Sequence, residues 1–402
     1  MGTSRAHDLV LFGATGFVGR LTAAYLATAA PAGTRIALAG RSAARLAALQ
    51  EELGVDWPLV VADTTDAASV TALAASTTAV ATTVGPYARY GLPLVEACAA
   101  AGTHYADLTG EVPFVRASAD RAHARARETG ARITHACGFD SVPSDLGALL
   151  TARAAQADGA TLTDTTLVLV SASGGVSGGT VDSLRVMVDE VKRDPATRRL
   201  MGDPYALSPD RAAEPDVGRQ SDATPVGRLD GRWTGLFVMA PFNTRIVRRS
   251  NALQGWAYGE RFRYREVMAF GRSPLGPVLA AGTAAGVAGL GLGMALPPTR
   301  ALLDRVLPAP GEGPSARTRE RGHFRTETTA TATSGRRYRT TVAMSGDPGY
   351  AATAVMLGQA GLGLALDELA GEGGVLTPAT ALGTGYAERL RGAGASITTV
   401  AL

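Results

Sequence analysis

Three glycines stand at a spacing that suits a diphosphate, in the run Gly13-Ala14-Thr15-Gly16-Phe17-Val18-Gly19. Gly13 would let the chain turn tightly off a strand. Gly16, lacking a Cβ, would let the backbone approach a pyrophosphate. Gly19 would let the following helix pack close to a sheet. The helix start then offers backbone N–H groups and the positive end of its dipole to the phosphates. The apolar run Asp8–Gly13 before the glycines and the helical stretch Arg20–Ala30 after them are the context that gives the spacing meaning. All seven loop residues are expected to hold a dinucleotide.

The second strand ends on Gly40-Arg41-Ser42, with Arg45 one turn further on. A site for an unphosphorylated ribose would place Asp or Glu there. Here a planar guanidinium and a hydroxyl stand ready for a 2′-phosphate, and no carboxylate repels it. NADPH is the expected cofactor. Asp63, which ends the third strand, is placed either beside the adenine or at a helix N-cap.

Further residues are expected where the later strands end, at the nicotinamide edge of such a sheet. Gly85, Pro86 and Tyr87 are assigned to the cofactor, and Tyr87, His104, Asp107, Asp140 and Ser141 to the surroundings of the substrate. Of these, Tyr87, His104 and Asp140 are the catalytic nominees. Each has a plainer alternative. Tyr87 would pack under the nicotinamide, His104 would be a hydrogen-bonded loop residue, and Asp140, like Asp145, would cap a helix. A Tyr-x-x-x-Lys pair is excluded by counting, because the only lysine is Lys192 and Val188 stands four residues before it.

Positioning these groups requires alternating strands and helices. Strands are expected at 8–13, 35–40, 58–62, 79–84, 105–108 and 131–136, with helices at 20–30, 42–53, 66–75, 92–101 and 116–129. That order specifies a Rossmann-type parallel sheet with helices on both faces. The order changes after about residue 150. Strands are expected at 161–171, 234–240, 259–270, 322–332 and 336–345, with a glycine-rich turn at Gly174–Gly179, a helix at Val181–Val191 and a long loop at 194–230. This specifies a second α+β domain on a mainly antiparallel sheet. Helices at 349–368 and 381–392 and a strand at 396–401 follow. The expected division is an NADP-binding domain over 1–148, a substrate or dimerisation domain over 149–346, and a tail over 347–402 that packs back on the first.

Composition narrows the classes further. At 402 residues, 46% hydrophobic and 19% charged, the chain is long enough for two cores and too apolar for disorder. A net charge of +3, with scattered arginines, gives no stripe for nucleic acid. Cys98 and Cys137 form no CxxC, and no histidine stands at metal-ligand spacing, so neither a disulfide framework nor a metal site is expected. The start shows no signal-peptide pattern, which leads to a cytoplasmic expectation. One stretch stands apart. No charged residue falls between Arg272 and Arg300, and 274–298 is rich in Ala, Gly and Leu. It is expected to dip into a membrane surface, to form a buried or homodimer-interface helix, or to span a bilayer.

Several longer motifs accompany the glycine loop and Gly40-Arg41. These are Thr83–Tyr87, Gly91–Cys98, Gly102–Glu111 and Cys137–Asp145, and downstream Gly174–Thr180, Asn243–Ser250 and Gly374–Ala379. With them the chain resembles the saccharopine dehydrogenase-like oxidoreductases, in particular the mycobacterial trans-acting enoyl reductase branch, over most of its length. The resemblance implies reduction of a carbon–carbon double bond on a lipid or polyketide-type chain delivered by another enzyme. Hydride addition to the enoyl β-carbon would be followed by protonation at the α-carbon. The alternatives are a saccharopine-like enzyme acting on an imine or amino acid, and a membrane-associated protein that binds NADPH without turnover.

Overall fold

A computed structural model of the chain describes residues 5–174, 185, 188–189, 191–220, 226–296, 298–300, 303 and 315–402. The turn expected at Gly174–Gly179 and most of the helix expected at Val181–Val191 lie outside the described residues, as does Pro297. The chain forms two units, Met1–Val142 with Gly349–Gly394, and Pro143–Pro348 with Ala395–Leu402.

The first unit alternates as its sequence requires. It runs β1 (His7–Phe12), α1 (Phe17–Ala29), β2 (Ile36–Gly40), α2 (Ala43–Leu53), β3 (Leu59–Val61), α3 (Ala67–Ser76), β4 (Thr77–Thr82), α4 (Tyr87–Ala101), β5 (His104–Ala106), α5 (Val112–Thr129) and β6 (Arg132–Thr134). Leu9, Val10, Leu11 and Phe12 are all buried, because a parallel strand with helices on both faces has no wet side. Side chains start two of the helices. Ser42 accepts from the Arg45 N–H, and Asp66 accepts from Ala68 and Ser69.

The second unit opens with α6 (Val142–Ala157) and β7 (Leu162–Ser173). Then follow α7 (Pro195–Gly202), β8 (Gly227–Leu229), β9 (Arg232–Gly235), α8 (Ala240–Leu253), β10 (Arg263–Ala269), α9 (Gly276–Ala295), α10 (Ala316–Arg321), β11 (His323–Ala332) and β12 (Arg337–Ser345). The chain returns to the first unit through a π-helical turn, Pro348–Ala352, then α11 (Thr353–Leu366), β13 (Gly374–Leu376) and α12 (Pro378–Gly392). It ends in the second unit as β14 (Ser396–Ala401).

The first sheet has the order β13-β6-β5-β4-β1-β2-β3, with every neighbouring pair parallel. The second has the order β14-β12-β11-β7-β10-β9-β8 and is antiparallel except where β10 runs beside β7. Arg132 on β6 secures the returning segment. Its guanidinium donates to the carbonyls of Ala381, Leu369, Ala370 and Gly371 at 2.7–3.1 Å.

Two expectations for the second unit need correction. The strand expected at 234–240 stops at Gly235, and the chain turns into α8, whose first turn carries Pro241. The long loop expected at 194–230 contains α7 at its start, capped by Asp194 and led by Pro195, and β8 near its end. Polar sequence hid α8: Asn243, Thr244, Arg245, Arg248 and Arg249 are all buried in it, so apolar periodicity gives no signal.

Candidate functional site

The glycine loop leaves β1 at a left-handed residue, Gly13, with φ +85°. A Cβ there would come within 2.8 Å of Thr83 Oγ1 and of Val84 Cγ2, so only glycine fits. Gly19 is more restricted still. Its Cβ would lie 2.1 Å from the Gly13 carbonyl oxygen, so helix and loop touch backbone to backbone. Gly13 and Ala14 donate N–H to the Ala39 carbonyl, anchoring the loop to β2. Thr15 faces the end of the same strand, with its Oγ1 3.9 Å from a Cβ built on Gly40. Gly16 is exposed, and no side chain caps α1. Val18 accepts from the Thr22 hydroxyl, and Phe17 meets Tyr350 edge-on at 5.2 Å.

Arg41 follows β2 with its side chain in solvent and, among the described residues, forms no ion pair. Its charge helps to hold the Asp63 carboxyl below the usual range, though the larger cause is the hydrogen bonding of Thr65. Asp63 accepts from Thr65 N and Oγ1 and caps no helix, since Asp66 caps α3. The Ser42 side chain serves as the α2 cap.

The carboxyl ends of β4, β5 and β6 are joined by one polar network. Tyr87 is buried; its hydroxyl donates to the Thr82 carbonyl at 3.1 Å and accepts from Leu108 N–H at 3.2 Å. Burial, and then the nearby Asp107, push its pKa well above the ordinary phenol value. The α4 start has no cap of its own. Glu111 supplies one, accepting from Tyr87 N–H at 3.1 Å and Ala88 N–H at 2.6 Å. Asp107 accepts from Thr109 and Ala136 N–H through Oδ1, and from the Tyr105 hydroxyl through Oδ2. Its Oδ2 also lies 2.7 Å from His135 Nδ1, and His135 Nε2 lies 2.7 Å from Ser118 Oγ. An acceptor carboxylate places the imidazole proton on Nδ1. Ser118, His135 and Asp107 thus have the partner order of a hydrolytic triad, but all three show 0% exposure, so no substrate reaches Ser118. The network is a tether between loops.

Residues 9–134 match the saccharopine dehydrogenase NADP binding domain family. Two trans-acting enoyl reductases, from Mycobacterium tuberculosis and Mycobacterium ulcerans, are 53% and 51% identical to this chain; each alignment covers 99% of both proteins. The chain belongs to the trans-acting enoyl reductase branch of the saccharopine dehydrogenase-like oxidoreductases. Saccharopine dehydrogenase from Saccharomyces cerevisiae shares the fold, with a TM-score of 0.55 over 98% of this chain at 13% identity. As in its family, the first unit is an NADP-binding domain, and its residues fit the group. The glycine cradle leaves no room for a side chain, the start of α1 is uncapped and exposed, and Arg41 is, among the described residues, an unpaired cation.

The catalytic nominees of this oxidoreductase are not all gathered at one place. His104 opens β5, at the amino edge of the sheet, away from the Gly85–Tyr87 turn. Its Nδ1 accepts from Arg132 N–H at 3.1 Å. Burial, with the Arg132 and Arg5 charges, lowers its pKa to about 4. It is held as a neutral acceptor, the plainer of its two expected roles. Asp140 lies in the turn after β6, at the carboxyl edge, on a segment that Asp107 ties to the Tyr87 loop. Among the described residues it has no hydrogen-bond partner, and burial pushes its pKa up to about 6. Ser141 donates its N–H to Gly138, and the neighbouring Phe139 N–H is held by Thr353. Asp145 belongs to the second unit and accepts from the Ser250 hydroxyl at 2.5 Å.

Sequence reasoning passed over Glu111, His135 and Ser118. Glu111 carried a readable signal, an acid just before a helix start. His135 directly follows β6 and Ser118 lies within the charged helix α5, where nothing marks them.

Proposed function

We propose that this oxidoreductase uses NADPH to saturate a carbon–carbon double bond on a lipid or polyketide-type acyl chain. The observation that carries the reading is the full-length match, at about half identity, to proteins named trans-acting enoyl reductase. In this reading the 13–19 loop holds the diphosphate, Arg41 holds the 2′-phosphate, and Gly85 and Pro86 border the nicotinamide. Bound NADPH supplies a hydride. Asp140 supplies the proton for the α-carbon. Its raised pKa keeps the carboxyl protonated up to about pH 6, and solvent restores the proton after each turnover. Tyr87, with both hydrogen-bonding directions of its hydroxyl taken, fixes the loop and leaves the proton to Asp140.

The test is incubation of purified protein with NADPH and long-chain α,β-unsaturated thioesters. Loss of NADPH with a product heavier by two hydrogen atoms is expected. Oxidation with imines alone would place the chain with amino-acid enzymes. Binding without any oxidation would leave a non-catalytic NADPH protein.

The reading also gives α9 a use, contact with a lipid surface on the cytoplasmic side of a membrane. Gly276–Met294 is long and apolar enough to reach about 28 Å, yet only 11% of its apolar window is buried. Leu275, Val278, Leu279, Leu290 and Leu292 stand exposed on different sides. Its one hydroxyl, on Thr283, donates back to the Leu279 carbonyl. A helix–helix interface asks for one apolar stripe backed by a polar face, whereas a helix apolar on all sides suits lipid.

A further inference from the structure

Beside α7 and the start of α8, the second unit carries a solvent-open pocket of about 570 Å³. Met201, Pro204 and Pro241 give it apolar walls, and Tyr205 gives it an aromatic one. The polar part of the lining consists of donors. Arg219 is exposed and, among the described residues, forms no ion pair or hydrogen bond. Arg211 stacks on the Tyr205 ring at 4.8 Å, and its Nε stands 3.6 Å from Asp203 Oδ2, beyond hydrogen-bond length. Gln220 adds a buried amide nitrogen with no acceptor, its Oε1 being turned to Arg248. The carbonyls on the same wall are taken. Met201 and Pro241 accept from Arg245, and Pro204 accepts from Arg248. Of the nearby carboxylates, Glu214 accepts from the Trp256 indole through Oε2 and leaves Oε1 unanswered, and the other two are engaged locally. Asp203 Oδ1 accepts from Tyr205 N–H, and Asp216 accepts from Gly218 N–H.

We propose that this cavity binds the phosphate group of an organic phosphate ester. The Arg219 guanidinium, the Arg211 guanidinium held only by a long ion pair to Asp203, and a buried amide donor call for an acceptor-rich anion, and a guanidinium matches the geometry of phosphate oxygens. The volume falls in the range of small-molecule pockets and far exceeds a bare phosphate, so the anion must bring an organic body for the proline, methionine and tyrosine walls. The Gln220 nitrogen is the sharpest sign, because buried donors are rarely left unanswered. Neither a diphosphate in the glycine loop nor turnover is needed for this inference, which concerns the second unit alone.

The test uses full-length protein saturated with NADPH, so that the first unit is already occupied. Coenzyme A, vesicles containing phosphatidic acid, and inorganic phosphate are titrated separately. Binding of coenzyme A or of the vesicles is expected, and which of the two binds identifies a soluble ester or a lipid headgroup as the source. The vesicle arm is repeated with Leu279→Arg, to separate the cavity from α9. R211Q combined with R219Q should weaken that binding at least 10-fold with NADPH affinity unchanged, and Gln220→Leu should weaken it less. The proposal is overturned if neither ester binds, if inorganic phosphate binds as tightly as they do, or if the double variant binds them as well as the natural protein.

Discussion

The Glu111 carboxylate receives the backbone N–H of Tyr87, so the start of one helix is capped from the loop that precedes the next. The contact fixes the Gly85–Tyr87 turn, which we propose borders the nicotinamide. Glu111→Ala would leave a buried N–H at Tyr87 and a part-buried one at Ala88 unanswered at the uncapped start of α4. We expect a loss of about 2–3 kcal/mol in unfolding free energy, measured by urea denaturation. NADPH affinity should fall as well. Unchanged stability would mean that another group caps α4.

Arg41 is the residue we propose holds the 2′-phosphate of the cofactor. Arg41→Glu should weaken NADPH binding by about 10-fold or more, in line with the loss of one charge-assisted contact and the arrival of a like charge. NADH binding should change little. Titration calorimetry with both nucleotides decides it, and a parallel loss of both would assign Arg41 a structural role.

Asp140 has a pKa raised to about 6. Its protonated form is the one favoured by folding. Its contribution to stability is therefore full below the unfolded carboxyl pKa and is lost as pH rises through about 6. Turnover should decline over the same rise. Asp140→Asn should abolish the decline together with most of the activity, while melting at pH 8 should be unchanged or improved. A pH–rate profile that keeps its falling limb in the variant would remove Asp140 from proton transfer.

His104 has the opposite sign. With a folded pKa lowered to about 4, its stabilisation is present above about 6.5 and lost as pH falls towards 4. The loss should reach about 3 kcal/mol. His104→Leu should flatten this part of the stability–pH curve and leave the pH dependence of turnover above 6 intact. A catalytic histidine would show the reverse.

Placing arginines at Leu279 and Leu292 should abolish co-sedimentation with lipid vesicles without altering NADPH binding. If the natural protein ignores vesicles but changes from dimer to monomer on this substitution, α9 is a contact between two copies of the chain.

The parallel sheet and its cofactor loop could be read directly from the residues. Gly13 and Gly19 are required by backbone contacts that a Cβ would destroy, and an apolar run such as Leu9–Phe12 suits only a strand covered on both faces. The antiparallel character of the second sheet was legible from its successive strands. The helix at 240–253 was not, because arginines that bury their charge against carbonyls look like solvent-facing residues in sequence. At the site, spacing brought out the residues on turns. It passed over Glu111, whose partners lie 23 and 24 positions away, and His135, whose partners Asp107 and Ser118 lie 28 and 17 positions away.

β13 lies at one edge of the parallel sheet and β14 at one edge of the other, both drawn from the final thirty or so residues of the chain. A ribosome releases six strands of the first sheet long before the seventh exists, and Arg132 waits for carbonyls that are synthesised some 240 residues later. Neither sheet is finished until these last strands have been synthesised. A nascent chain stalled before residue 370 would therefore expose an unpaired β6 edge to chaperones and proteases, and a stop codon in this short tail would damage both halves of the protein at once.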